Sequence, residues 1–213
     1  MNIEYPSQHN TYGVILAGGN SVRMGRHHKG LMMLDNTTLL EKIIHRLQPQ
    51  VAQIILNINT NPELYRHYTE LYALTQVADD TTSAQGSLGP LAGICTAMSA
   101  VKTTNHNAKW LLTVPCDSPR LPEDLLIQLS SVVKNKPMQV VNPISNGKKH
   151  HVIGVWSLDL EEPLRKFLYS GQRAVGKFLQ SVNNTSLPFS TDDYDPFFNV
   201  NTPDDYAALT GIK

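Results

Sequence analysis

The sequence is poor in cysteine, balanced in charge and free of long apolar runs. Its 213 residues include 2 cysteines, Cys95 and Cys116, which lie in different segments and do not have metal-ligand spacing. This usage argues against a disulfide framework and favours a reduced, cytoplasmic protein. No stretch is long enough to span a bilayer, and residues 1–11 lack the apolar core of a signal peptide.

The charge balance excludes a general attraction to polyanions. Lysine and arginine total 18, aspartate and glutamate also total 18, and the formal net charge at pH 7 is +0. We therefore expect neither nucleic acid nor a membrane as a partner, and any anion site must come from a local arrangement of charges. The length suits one α/β domain. Residues 12–213 are predicted to form that domain, and residues 1–11 a flexible N-terminal tail.

Several familiar catalytic signatures are also missing. The chain has neither a Walker A loop nor the G-x-G-x-x-G dinucleotide fingerprint. It has no Asn-Lys-x-Asp motif, which a regulatory GTPase uses to read the base. No convincing Ser-His-Asp set or carboxylate pair appears for acid–base chemistry.

What the chain does have is a glycine-rich loop directly after its first apolar run. The run Tyr12–Leu16 predicts a buried strand, and Gly18-Gly19 ends it. Such loops expose backbone N–H groups that bind anions, and Arg23, Arg26 and Lys29 add positive charge nearby. The pattern predicts a phosphate cradle; the alternative is an ordinary βα turn with surface cations.

Polar residues also follow two later predicted strands. Val51–Asn59 ends in asparagines, including Asn57, and Lys109–Val114 is followed by Asp117 between two prolines. Ligands of open α/β sheets bind at the carboxyl ends of strands, and a fixed carboxylate there suits Mg²⁺. The alternative for both positions is plain turn chemistry.

Three further segments carry polar or basic residues. A second glycine-rich stretch, residues 86–93, opens a helix near Pro90. The turn at residues 145–151 ends in two lysines and two histidines and is predicted to be a solvated basic turn. Near the C-terminus, Asn199 and Asn201 are expected on one face of a short strand, followed by a helix that Thr202 caps.

Strands and helices alternate throughout the chain. This order predicts an α/β fold with a mostly parallel central sheet and helices on both faces, in which the last strands run antiparallel.

The glycine loop resembles a known signature. The run Leu16-Ala17-Gly18-Gly19-x-Ser21-x-Arg23-Met24-Gly25-x-x-x-Lys29-Gly30-Leu31 is similar to that of the molybdenum cofactor guanylyltransferases. The runs at residues 89–93, 115–117 and 199–203 match further motifs of that family, so the resemblance extends from Gly13 to Leu209. It implies a single Rossmann-like nucleotidyltransferase domain that transfers GMP from GTP to molybdopterin, uses Mg²⁺ and releases pyrophosphate.

The resemblance also implies residue roles. Catalysis is assigned to Arg23, Lys29 and Asp117, with Asp117 as the metal ligand. GTP binding is assigned to Leu16, Ala17, Gly18, Gly19, Lys29, Asn57, Asp80 and Asp117. Molybdopterin binding is assigned to Arg173, Asn199 and Asn201. Asp79 is an adjacent alternative to Asp80, and a surface cation at a helix start is the alternative for Arg173.

The implied partners are GTP, molybdopterin in its metal-loaded or metal-free form, and transient contacts with cofactor biosynthesis proteins or molybdoenzyme chaperones. Rival activities are cytidylyl transfer to the same cofactor and nucleotidyl transfer to a sugar 1-phosphate. The cytidylyl relatives tend to have alanine in place of the first glycine of the loop. A non-catalytic GTP-binding regulator is the rival from another class.

Overall fold

The computed structural model describes residues 4–17, 28–79 and 89–210. Strands and α-helices alternate over these residues as predicted. The strands are β1 Thr11–Leu16, β2 Met33–Leu34, β3 Thr37–Thr38, β4 Ile54–Asn57, β5 Thr75–Val77, β6 Trp110–Pro115, β7 Val140–Ser145, β8 Lys148–Lys149, β9 Gly154–Ser157 and β10 Asn184–Pro188. The helices are α1 Leu39–Leu47, α2 Arg66–Leu71, α3 Pro90–Thr104, α4 Leu125–Asn135, α5 Glu161–Tyr169, α6 Val175–Leu179 and α7 Pro203–Thr210.

One central sheet contains eight of the strands. Its order is β10-β7-β9-β6-β1-β4-β5, and β8 pairs with β7. The pairs around β1 are parallel, as is β10 with β7, whereas β9 runs antiparallel to both of its neighbours. The predicted mostly parallel sheet is confirmed. Of the late strands, β9 is antiparallel as predicted, whereas the last strand, β10, is parallel to β7.

Helices cover both faces of this sheet. Successive side chains of a strand point to opposite faces, so Val14 and Ile15 belong to two different apolar clusters. Ile15 lies in the cluster that contains residues of α1 and α4, while Val14 lies in the one that contains residues of α3 and α5. The sheet is therefore buried on both sides, as expected for an α/β fold of this kind.

Three local expectations need correction. Residues 197–201 form no strand, and the unpredicted strand β10 occupies the sheet edge instead. Strand β1 begins at Thr11, inside the segment predicted as a tail. Part of that segment packs on the domain, because Asn10 is buried and the Trp110 Nε1–H donates to the Glu4 carbonyl oxygen at 2.8 Å.

None of the helices in the described ranges combines the length and the apolar character that crossing a membrane requires.

Candidate active site

The carboxyl ends of three adjacent parallel strands form the floor of the candidate site. In the register of the sheet, Leu16 of β1 lies beside Asn57 of β4 and Pro115 of β6. The chain continues this pairing past the strand ends, because Ala17 N–H donates to the Asn57 carbonyl oxygen at 2.9 Å and Cys116 N–H to that of Leu16 at 3.1 Å. The sheet thus brings Ala17, Asn57 and Asp117 together at the ends of these strands.

Lys29, Asp117 and Asn201 meet at this edge although they are far apart in sequence. The Lys29 Nζ lies 3.0 Å from Asp117 Oδ2 and donates to Asn201 Oδ1 at 2.7 Å. The ion pair is largely shielded from water, with exposed side-chain fractions of 16% for Lys29 and 13% for Asp117. Asp117, which is assigned to GTP binding, and Asn201, which is assigned to molybdopterin binding, therefore both contact the Lys29 ammonium group.

The other oxygen of Asp117 is the clearest sign that the site takes a further ligand. Asp117 Oδ1 is buried and accepts no hydrogen bond from the described residues. A buried carboxylate oxygen left without a donor is costly, and a cation would satisfy it. Asn201 Oδ1 offers a second hard oxygen on the same side, since both residues bind the Lys29 ammonium.

This donor set fits Mg²⁺ bound together with a substrate. Within residues 4–17, 28–79 and 89–210, no three His, Cys, Asp or Glu side chains cluster as a metal cage. Magnesium commonly relies on one or two carboxylates, keeps several waters and takes its remaining oxygens from substrate phosphates. Asp117 and the neighbouring Asn201 amide oxygen match this coordination preference.

The segment that carries Asn199 and Asn201 is held by backbone and side-chain contacts rather than by strand pairing. Val200 N–H donates to the Asp117 carbonyl oxygen at 2.9 Å, and the Ser118 hydroxyl donates to Asn199 Oδ1 at 2.6 Å. Val200 is fully buried between β2 and α1, against Leu34 and Leu39. The two asparagines consequently reach the site by an irregular turn, not from one face of a strand.

The helix after this segment begins as predicted. Asp205 N–H donates to Thr202 Oγ1 at 3.1 Å, and Asp205 Oδ2 accepts from the backbone of Thr202 and of Asn201, both at 2.9 Å. Burial opposes ionisation of Asp205, but these donors hold the pKa of its carboxyl below the usual value. The start of α7 thus fixes the backbone of Asn201.

Asn57 and Asp79 form a second polar pair on the same side of the sheet. Asn57 is 2% exposed and donates through Nδ2 to Asp79 Oδ1 at 2.8 Å, while Asn59 donates to the other Asp79 oxygen at 2.8 Å. The first turn of α3 closes on Asn57, because a Cβ on Gly93 would lie 2.4 Å from Asn57 Oδ1. Asp79 orients Asn57, and the choice between Asp79 and Asp80 as a nucleotide contact stays a prediction.

Arg173 is engaged by the end of a helix. Its guanidinium donates to the carbonyl oxygens of Leu168 and Gln172, both at 2.7 Å. These contacts place the guanidinium at the C-terminal end of α5, where cations stabilise a helix, and not at a helix start as in the alternative given for Arg173. Its backbone nevertheless borders the second glycine-rich segment, as a Cβ on Gly89 would lie 3.9 Å from the Arg173 carbonyl oxygen. Its assignment to molybdopterin stays a prediction.

Several assigned residues lie outside the described ranges, namely Gly18, Gly19, Arg23 and Asp80. The structure does place the residue at which the first loop rejoins the described chain. His28 lies between Tyr65 and Asn61, with Nδ1 3.2 Å from the Tyr65 hydroxyl and Nε2 3.1 Å from Asn61 Nδ2. Sequence reasoning missed this anchor, because nothing in the spacing of these residues links them.

The basic residues of the predicted turn lie in two environments, exposed and buried. Lys148 and Lys149 are exposed as predicted, but His150 is buried and bonds to Ser145, so the prediction is wrong for that residue. Strand alternation gives no signal for this burial, because the adjacent Lys148 and Lys149 of β8 are both exposed.

The mostly parallel sheet, with Asn57 and Asp117 at the carboxyl ends of adjacent strands, is typical of α/β enzymes that bind ligands at that end of the sheet. Residues 13–185 match the MobA-like NTP transferase domain family, and the chain belongs to it. It is therefore a member of a nucleotidyltransferase family.

Named relatives are similar to this protein over most of the chain. The molybdenum cofactor guanylyltransferase of Nitrobacter hamburgensis is 36% identical over 97% of this chain and 95% of its own. That of Haemophilus influenzae is 36% identical over 90% of this chain and 93% of its own. The crystal structure of molybdopterin-guanine dinucleotide biosynthesis protein A from Archaeoglobus fulgidus superposes with a TM-score of 0.72 at 19% identity, covering 95% of this chain and 97% of its own.

Proposed function

We propose that the protein transfers GMP from GTP to the terminal phosphate of molybdopterin, with Mg²⁺, and releases pyrophosphate. The observation that carries the proposal is the convergence of Lys29, Asp117 and Asn201 at the strand ends, with Asp117 Oδ1 buried and unpartnered. The names of relatives at 36% identity over most of the chain support the choice of guanine and of molybdopterin.

The first barrier in this reaction is repulsion between two polyanions. Lys29 neutralises part of the triphosphate, and its side chain is already oriented because Asp117 and Asn201 hold its ammonium group. A preorganised charge of this kind lowers the barrier without reorganising when the reaction occurs. Arg23 and the backbone N–H groups of the first loop are proposed to complete the phosphate cradle.

Asp117 would hold the magnesium ion, with Asn201 Oδ1 as an additional oxygen ligand. A bound Mg²⁺ supplies charge neutralisation at the phosphates. The backbone that carries this carboxylate is fixed, because the Asp117 carbonyl oxygen accepts from Val200 N–H. Asn57, oriented by Asp79, is proposed to contact the nucleotide from the neighbouring strand.

The acceptor needs no general base. The second pKa of a phosphate monoester is about 6, so its attacking oxygen is mostly ionised at neutral pH. Positioning and charge stabilisation can then supply the rate. Asn199, Asn201 and Arg173 are proposed to orient molybdopterin, and the Ser118 hydroxyl fixes the first of these through Asn199 Oδ1.

The direct experiment incubates purified protein with molybdopterin, MgCl₂ and one nucleoside triphosphate at a time. We expect pyrophosphate and a dinucleotide product with GTP, and little with ATP, CTP or UTP. Product formation mainly from CTP would instead identify a cytidylyltransferase. GTP binding without product from any acceptor would favour a regulator.

Asp117→Asn tests the metal site in the same assay. Turnover should fall at least about 100-fold, because the variant loses the charge that holds Mg²⁺. Asp193→Asn is the matched control, since Asp193 is an exposed aspartate away from the strand ends. Full activity of Asp117→Asn at low Mg²⁺ would refute the role given to Asp117.

A further inference from the structure

A polar network outside the site joins two side chains of one hairpin to a third from a distant part of the chain. The Ser145 hydroxyl, at the end of β7, lies 2.7 Å from His150 Nε2 and 2.8 Å from Asp195 Oδ1. Ser145 is 2% exposed and His150 is 9% exposed. Neither the sequence motifs nor the proposed reaction uses these residues.

The directions of these hydrogen bonds follow from counting protons. A serine hydroxyl has one proton, and the Asp195 carboxylate can only accept. Ser145 therefore donates to Asp195 and accepts from His150, so His150 carries its proton on Nε2. Burial lowers the pKa of His150 against the opposing effect of the Asp195 charge, which favours the neutral ring.

This order excludes a nucleophilic triad. In such a triad the imidazole lies between the serine and the carboxylate and takes the serine proton. Here the serine lies between the other two groups and donates a hydrogen bond to the carboxylate. The network is consequently suited to holding a structure in place.

The structure that it holds is the start of the segment with the two asparagines. Asp195 Oδ1 also accepts from Phe197 N–H at 3.0 Å. The Phe197 ring is 1% exposed and lies 5.0 Å, centroid to centroid, from the rings of both His150 and Phe189. Three residues further on, Val200 N–H reaches the Asp117 carbonyl oxygen.

We propose that Ser145, His150 and Asp195 are positioning residues that hold residues 197–201 against Asp117 and thereby set the places of Asn199 and Asn201. The segment has no strand pairing of its own. Val200 and Asn199 hold its middle beside Asp117, while these side chains and the start of α7 hold its two ends. The kinetic part of this proposal rests on the proposed function; the structural part does not.

Hydrogen–deuterium exchange followed by mass spectrometry tests the structural part without any substrate. Ser145→Ala and Asp195→Ala should speed exchange in peptides that cover residues 197–201. Asp195→Ala removes the acceptor of the Phe197 amide, and Ser145→Ala removes the hydroxyl that orients this acceptor. Asp195→Asn retains a carbonyl oxygen at the same place and should restore much of the protection. Unchanged exchange in Ser145→Ala and Asp195→Ala would overturn the proposal.

The matched control is Thr191→Ala. The Thr191 hydroxyl donates to Asn146 Oδ1 at 2.9 Å, so it also joins the chain before Asp195 to the turn after β7, but this hydrogen bond is exposed and does not involve Phe197. Exchange of residues 197–201 should match that of the wild type in this variant. An equal increase in Thr191→Ala would show that any loosening of the two loops has the same effect, which overturns the role given to the network.

Kinetics then separate positioning from general stability. In Ser145→Ala, KM for molybdopterin should rise on the order of 10-fold to 100-fold. Binding of GTP without acceptor should change much less, because Lys29 keeps its ion pair with Asp117 when Asn201 is displaced. Asp195→Asn should recover part of the loss. Equal losses for both substrates, or faster exchange with wild-type kinetics, would overturn the proposal. A wild-type protein that transfers no nucleotide would contradict the proposed function, while the exchange results would still decide the network.

Discussion

At the scale of single residues, the space beside Asn57 leaves no room for a side chain on Gly93. A Cβ there would lie 2.4 Å from Asn57 Oδ1 and 2.8 Å from Leu16 Cδ2. Gly93→Ala should push Asn57 away from Asp79 and from the end of β1. We expect GTP affinity to fall about 10-fold or more, since a single misplaced contact commonly has an effect of that order. Titration with a fluorescent GTP analogue measures it.

Gly176→Ala is the matched control for that substitution. Gly176 lies in α6, where a Cβ would meet only His151 Nε2, at 3.8 Å. GTP affinity should not change, and stability should rise by roughly 0.5–1 kcal/mol because alanine is the better helix former. Unaltered GTP binding by Gly93→Ala would contradict the role assigned to Asn57.

Cys116, next to Asp117, sets an alkaline limit on stability. Burial, helped by the neighbouring Asp117 charge, raises the pKa of the Cys116 thiol to about 12. An unfolded cysteine has a pKa of about 8.5, so the stabilising effect of the neutral thiol is complete below that pH and is lost as the pH rises toward 12.

Urea unfolding of the wild type and of Cys116→Ala at a series of alkaline pH values tests this linkage. Above pH ~8.5 the unfolding free energy of the wild type should fall more steeply, by about 1.4 kcal/mol per pH unit. Tyr65, whose pKa is raised mainly by burial and further by Cys116, is present in both proteins, so the effect of its burial is common to the two curves. Parallel curves for the two proteins would be evidence against a buried neutral thiol.

At the scale of elements, the start of α7 couples helix stability to the site. Asp205 accepts from the backbone of Asn201 and Thr202, and Asn201 in turn binds Lys29. Asp205→Ala should lower the free energy of unfolding by about 1 kcal/mol, as for other lost helix caps. Turnover should fall as well, because Asn201 loses a fixed backbone. Chemical denaturation and the dinucleotide assay measure the two effects.

Asp204→Ala separates this capping effect from the charge alone. Asp204 lies in the same first turn but is exposed, so its loss should change stability by only a few tenths of a kcal/mol. The pKa of Asp205 is lowered in the folded protein, so its contribution is present above pH ~3.9 and is lost as the pH falls further. Similar behaviour of the two variants would argue against the cap.

The strands show which parts of the fold could be predicted from the sequence. Tyr12–Leu16 and Trp110–Val114 are continuous apolar runs of the kind that parallel, doubly covered strands require, and both became central strands. Strand β10 could not be found in this way, because residues 184–188 are mostly polar, end in proline and pair on one side only. Alternating asparagines wrongly suggested a strand at residues 197–201.

The candidate site shows the same limit. Asp117 and Asn57 could be placed at the site because they follow strands whose ends share one edge. Their partners could not, because Asn201 meets Lys29 only through folding, at a separation of 172 residues. The pairing of Ser145 with Asp195 likewise depends on an irregular segment for which the residue pattern gives no register.

At the scale of the whole molecule, binding of GTP with Mg²⁺ should stabilise the fold, because the proposed site at the ends of β1, β4 and β6 exists only in the folded protein. A ligand at 100 times its Kd adds about 2.7 kcal/mol, and 1 kcal/mol shifts Tm by roughly 2–4 °C in a domain of this size. We therefore expect a rise in Tm of about 5–10 °C, measured by thermal denaturation. GTP with EDTA and CTP with Mg²⁺ should each give a smaller rise, and Asp117→Asn should lose most of the Mg²⁺-dependent part. An equal rise with EDTA would contradict a metal held at Asp117, and a larger rise with CTP would contradict the choice of guanine.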